Sequence, residues 1–159
     1  MTLLDSIENC LTKTFQYSGR ASRSEFWWFF LFVLFARLAL GAFKHIVLMT
    51  SQGLGTALEL VVTMISLILI LPTVAVQVRR LHDVGHSGWW VGLLWCLLTI
   101  LFVLSLFWNA SIRSTGSGDP YQSSIMVIAL ATAVVWVWVF FLTIKRGDAG
   151  PNRYGNPTV

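Results

Sequence analysis

The chain has 159 residues, of which 56% are hydrophobic and only 11% charged, with a formal net charge of +4. An ordinary soluble domain carries about 25% charged residues, so this composition excludes that class. It points instead to a chain that spends much of its length in a membrane.

Residues 3–15 come first. Leu3, Leu4, Ile7, Leu11 and Phe15 recur at helical spacing, with Asp5, Glu8, Asn9 and Lys13 between them. The pattern predicts a short amphipathic helix (N-terminal segment 1–18), lying either in the membrane interface or across the ends of the spans. The first 25 residues are mixed and polar, unlike a cleavable signal peptide with its basic start and apolar core. Gly19 breaks the segment, and Ser22 with Glu25 has the spacing of a capping box that opens the next helix.

Four apolar runs follow, at about 26–44, 60–78, 89–108 and 124–144, and the last three contain no Asp, Glu, Lys, Arg or His. A helix needs roughly 20 mostly apolar residues to cross the hydrocarbon core. The expected fold is therefore an all-α integral membrane protein with four transmembrane helices, forming one membrane domain over residues 1–159. Trp27, Trp28, Trp89, Trp90 and Trp108 sit at the run ends, where aromatic residues mark the headgroup level. Pro72 is expected to kink the second span by removing a backbone hydrogen bond. The polar stretches 50–56 and 111–123 read as loops, and the Gly-, Pro- and Asn-rich tail 145–159 is too broken for a helix.

Orientation follows from Lys and Arg placement. Lys13, Arg20, Arg23, Arg79, Arg80, Lys145, Arg146 and Arg153 share one side of a four-span topology, while Lys44 and Arg113 fall on the other. Both termini are thus expected in the cytoplasm, and the net positive charge needs no nucleic-acid partner. Cys10 and Cys96 lie at different depths, so neither a disulfide nor a thiol metal site is expected.

Arg37 lies inside the first run, about ten residues or roughly 15 Å beyond the tryptophans. An intramembrane charge is a functional candidate, and Glu59 is its nearest acidic neighbour in a four-span arrangement. The bland counterpart is an arginine that fixes helix packing.

Three polar segments converge on the expected cytoplasmic face: residues 19–28 (GRASRSEFWW), 79–90 (RRLHDVGHSGWW) and 147–155 (GDAGPNRYG). They resemble, in order, the motifs of domain-of-unknown-function family 805, a group of bacterial inner-membrane proteins. These are a Gly-Arg-x-Ser-Arg-x-Glu-[aromatic]-Trp stretch, an Arg-Arg-Leu-His-Asp-x-Gly-x-Ser-Gly-Trp-Trp link and a Gly-x-x-Gly-x-Asn-x-[Tyr/Phe]-Gly tail. The resemblance covers roughly residues 10–157. It implies a four-helix protein of the bacterial cytoplasmic membrane and brings no established activity.

Within these segments, Arg20, Arg23, Glu25, Arg79, Arg80, His82, Asp83 and Arg153 are the expected cytoplasmic cap. Its basic groups suit an anionic phospholipid, because Arg can grip a phosphate through two hydrogen bonds. A protein partner or a second copy of the chain is the other expected occupant. Glu25, Asp83 and Asp148 are expected to organise the arginines. His82, Asp83 and His86 could instead hold a divalent ion and act on lipid headgroups. The glycine turn between the histidines weighs against this, and His86 has no fixed counterpart in the family motif. A small oligomeric transporter or pore is a third reading, although the spans lack paired acids. No P-loop, Rossmann fingerprint or Ser-His-Asp arrangement is present. The expectation is a non-enzymatic protein with no cofactor, no metal and no catalytic residue.

Overall fold

The structure, a computed structural model, describes residues 2–116 and 119–157. Five helices run in order: α1 (Leu3–Thr12), α2 (Arg23–Thr50), α3 (Gln52–Asp83), α4 (Trp89–Thr115) and α5 (Asp119–Ile144), with no strand among the described residues. Segments Arg23–Met49, Gly53–Asp83, Trp89–Ser114 and Tyr121–Ile144 are each long and apolar enough to cross a membrane. The chain divides into two compact units, residues 1–86 with 146–159, and residues 87–145.

In the first unit, α1 is nucleated by a reciprocal cap. The Asp5 N–H donates to the Thr2 hydroxyl at 3.3 Å, and the Thr2 N–H to the Asp5 carboxylate at 2.9 Å. This satisfies donors that have no partner within the helix. Ser6 and Cys10 form the buried stripe of α1, whereas Leu4 and Phe15 remain exposed. At α2, Ser22 caps as expected, accepting from the Glu25 N–H at 3.2 Å. The reciprocal half is missing because the Glu25 carboxylate turns inward, toward Cys10 and Arg79.

Only Ser51 separates α2 from α3. The expected loop at 50–56 is therefore helical almost throughout. The physical reason lies in the close approach of the two helices: a Cβ on Gly55 would stand 2.2 Å from Leu48 Cδ2. Glycines that suggest a loop here allow a tight hairpin instead. The helix α3 runs through Pro72, and the Thr73 hydroxyl donates to the Leu69 carbonyl at 2.6 Å.

Burial in this unit is concentrated at one end. Cys10, Ala21, Phe26, Phe29, Val33 and Val76 form the apolar core, flanked by Trp27 and Phe32. Farther along, Phe35, Leu38, Ile46, Leu60 and Ile68 are all exposed. At the far end, Lys44 and Glu59 pair at 2.7 Å. Glu59 is thus engaged away from Arg37, whose guanidinium donates to the Ser66 carbonyl of α3 at 3.4 Å.

The second unit is the α4–α5 hairpin. Val91, Leu94, Val139 and Leu142 are buried, and the Trp90 and Trp138 rings meet edge-on at 6.1 Å. Thr132 and Thr143 return their hydroxyls to carbonyls of their own helix. The stretch 111–123 is also shorter as a loop than its polarity suggests. The helix α4 continues to Thr115 and stops at Gly116, which takes the left-handed conformation with φ 75°. Its polar side chains fold back on the helix, as in the Ser114 hydroxyl donating to the Ser111 carbonyl at 3.1 Å.

Candidate functional site: a buried arginine cluster at the end of α3

The last turns of α3 carry Arg79, Arg80, His82 and Asp83, and the chain must then stop cleanly. It does so with a Schellman turn: Gly85 donates to the His82 carbonyl at 3.1 Å and His86 to that of Leu81 at 2.9 Å. Gly85 has φ 74°, a conformation other residues adopt at a cost. The turn presents the remaining α3 carbonyls to residues 19–21 and to the tail.

Asp83 is the centre. Its carboxylate accepts from Arg20 Nε at 2.8 Å and also pairs with Arg80. The rest of the Arg20 guanidinium grips the tail: Nη1 donates to the Gly150 carbonyl at 2.8 Å, and Nη2 to that of Asp148. The Asp148 N–H in turn donates to the Asp83 carbonyl at 2.8 Å. Gly147 lies so close that a Cβ there would stand 2.0 Å from Asp83 Oδ2. Only glycine lets the tail backbone reach the carboxylate.

Arg79 makes a second layer. Its Nη1 donates at 2.9 Å to the carbonyls of both Lys13 and Gln16, at the end of α1, and its Nη2 to Glu25 at 3.2 Å. The last turn of α1 has no basic residue of its own, so Arg79 supplies the positive charge that a helix C-terminus favours. The Cys10 thiol approaches the same Glu25 oxygen at 3.8 Å. Burial, and then the Glu25 carboxylate, push this thiol up to about 12. Among the described residues, Arg79 Nε is the buried side-chain polar atom without a hydrogen-bond partner.

Tyr154 and Asn152 secure the tail from the other side. The Tyr154 ring stacks on His82 with centroids 3.8 Å apart, and the Arg153 guanidinium lies 4.8 Å from the Tyr154 centroid. Arg153 also donates to the Gly85 carbonyl, and Asn152 to the His82 carbonyl at 3.0 Å. The two histidines are occupied locally: His82 Nδ1 lies 3.2 Å from the Gly19 carbonyl, and His86 Nδ1 2.8 Å from that of Val84. No three His, Cys, Asp or Glu groups are placed to hold a metal ion among the described residues.

The basic residues singled out from the sequence thus separate into two classes. Arg20, Arg79 and Arg80 are only 7%, 2% and 0% exposed and are turned to internal partners. Arg23, Arg146 and Arg153 are exposed. Glu25 and Asp83 do organise arginines, but Asp148 does so through its backbone, since its carboxylate accepts from Asn152 at 2.9 Å. Tyr154 had no apparent role in the sequence, because stacking depends on where the tail folds back. Cys10 was legible only as a lone thiol.

An open cleft of about 400 Å³ lies beside this cluster, lined by residues of α2's start, Asp83 and the tail, with Arg20, Arg23 and Arg146 on its wall.

Comparison with known proteins places the chain. A family model described as "Protein of unknown function (DUF805)" matches residues 14–156. The inner membrane protein YhaI of Escherichia coli K12 is 33% identical over 140 residues, covering 88% of this chain and 83% of the relative. The inner membrane protein YhaH of the same strain is 32% identical over 101 residues, covering 63% of this chain and 79% of the relative. No solved structure matches. Chain-long agreement with the family model, carried through the three segments that meet around Asp83, makes this protein a member of the DUF805 family.

Proposed function

We propose that this protein is a non-enzymatic, multi-pass protein of the bacterial cytoplasmic membrane whose polar cap, on the cytoplasmic side, binds anionic phospholipid. One observation carries the reading. Buried arginines are consumed in holding α1, α2, α3 and the tail together, while Arg23, Arg146 and Arg153 stay exposed at the same end of the unit. Each exposed cation at a membrane surface is attracted to anionic headgroups by about 1 kcal/mol. Contact between Arg20 and residues 148–155 supports both termini lying on one side, and the count of Lys and Arg favours the cytoplasm. The helix α1, with Leu4 and Leu11 exposed and Ser6 and Cys10 turned inward, fits a short amphipathic helix at the interface.

Native mass spectrometry of gently extracted protein tests this. The expected result is retained anionic phospholipid that is lost as salt is raised. A chain carrying no lipid, or neutral lipid alone, would refute it. A stoichiometric protein in place of lipid would transfer the cap to a protein partner.

A further inference from the structure

The geometry points to a specific site within that cap: the cleft between Arg23 and Arg146 binds one singly charged phosphodiester group. This deepens the lipid-binding reading and rests on it.

The cleft wall consists of Arg20, Ser22, Arg23, Asp83, Arg146, Gly147, Asp148, Ala149 and Pro157. Its three arginines are not equivalent. The Arg20 guanidinium is spent on Asp83 and on tail carbonyls. Arg23 and Arg146 are exposed and form no ion pair among the described residues. They are the cations free to meet a ligand.

The carboxylates on the wall set the ligand's charge. Asp83 is held by Arg20 and Arg80, and Asp148 accepts from Asn152. Both are fixed parts of the wall, whose lining therefore sets three arginines against two carboxylates and leaves one positive charge facing the cleft, with Arg80 buried behind Asp83 and off the lining. A phosphodiester carries one negative charge and balances it. A doubly charged phosphate monoester would bring surplus negative charge beside Asp148. A zwitterionic headgroup would set its cation against Arg23 and Arg146.

The backbones that carry the two arginines are fixed even though their side chains are free. Arg23 follows the Ser22 cap as the first residue of α2. Arg146 precedes Gly147, which is wedged against Asp83, and Asp148, which donates to the Asp83 carbonyl. Anchored stems with unengaged guanidiniums reduce the ordering cost of gripping a phosphate from two sides. The cleft lies within the lower range of volumes found for ligand sites, about 300–1,000 Å³, enough for a headgroup phosphate with part of its ester substituents.

The test is a native mass spectrometry titration in non-ionic detergent with phosphatidylglycerol and, separately, phosphatidylcholine. Both probes are applied to the full chain and to an R23Q/R146Q variant. Because neither arginine has an ion-pair partner among the described residues, the variant should keep the wild-type thermal midpoint. We expect the wild type to hold one phosphatidylglycerol in preference to phosphatidylcholine, and the variant to bind it at least about tenfold more weakly. Lysines at both positions should recover part of the loss. Equal phosphatidylglycerol binding by variant and wild type, with loss on R153Q, would overturn the cleft and leave the lipid-binding cap standing. No preference between the two lipids in the wild type would overturn both. Glycerophosphoglycerol added as a competitor separates the sources: displacement at micromolar concentration identifies a soluble phosphodiester as the ligand, and no displacement identifies the lipid.

Discussion

The two ends of the α2–α3 hairpin are built by opposite rules. At the α3 C-terminus the largest fully buried side chains are charged: Arg79 and Arg80, with buried Asp83, alternate along the chain with buried Ala75, Val76, Leu81 and Val84. Toward Ser51 the large side chains are apolar and exposed, including Phe43, Met49, Leu54 and Leu60. In water this would be a protein turned inside out. In a bilayer the apolar surface needs no partner because lipid is as apolar as leucine. The polar end, by contrast, must satisfy its own charges once they are withdrawn from water. Folding specificity in this unit is thus concentrated at its polar end.

The sharpest way to break this contrast is Asp83→Ala. Removing one partner of a buried ion pair strands the other charge, at a cost of about 3–5 kcal/mol. The thermal midpoint in detergent should fall by more than for any lipid-facing substitution. An unchanged midpoint would show that the buried pairs add little.

Gly147→Ala should come next. Its Cβ would collide with the Asp83 carboxylate, whereas one on Gly150 would meet nothing within 4 Å. Overpacking costs typically about 1–3 kcal/mol. Limited proteolysis should therefore release the tail of Gly147→Ala and leave Gly150→Ala intact.

Cys10 reports on the α1 junction. Its thiol is raised from 9.0 to about 12, and the thiolate is the reactive form. At pH 8 it should react with iodoacetamide roughly a thousandfold more slowly than a free thiol; Glu25→Gln, which removes the neighbouring negative charge, should restore part of the rate, because burial remains the larger cause. The linkage has a definite sign. An acid whose folded pKa is raised contributes stability that is full below pH 9 and is lost progressively as pH climbs from 9 toward 12. Alkaline titration followed by circular dichroism checks this.

Leu38→Ala should do least. Leu38 is 60% exposed on α2, and in lipid its truncation removes neither a packed neighbour nor water-shielded surface. A change under about 1 kcal/mol is expected, read from the same thermal midpoint. A large loss would place a protein surface against that face.

Much of the hairpin end could be read in advance, and for identifiable reasons. Apolar runs long enough to span are a one-dimensional signal, so the four long helices are legible without any contact. Ser22 capping depends only on neighbours three residues apart, and it is legible too. What escaped is set by long-range geometry. Glu25 has the right spacing for a reciprocal cap, yet Arg79, 54 residues away, takes its carboxylate. Gly55 looks like part of a loop because glycine serves both flexible turns and close helix approach, and only the nearness of Leu48 decides between the two. The arginines looked alike as a basic cluster. Whether each faces inward or outward depends on partners far off in the chain: the end of α1 and Glu25 for Arg79, and Asp83 with a tail more than sixty residues beyond it for Arg20.

The Arg20 grip also fixes an order of assembly. Its carbonyl partners in the tail lie 128 to 135 residues later in the chain. At a synthesis rate of about 5–20 residues per second, they leave the ribosome roughly 6 to 27 seconds after Arg20 itself. Until then Arg20 has Asp83 but none of its tail carbonyls, and the cluster stays open. Its closure therefore waits on the synthesis of α3, α4 and α5: the segment before α2 is sealed by one of the last segments made.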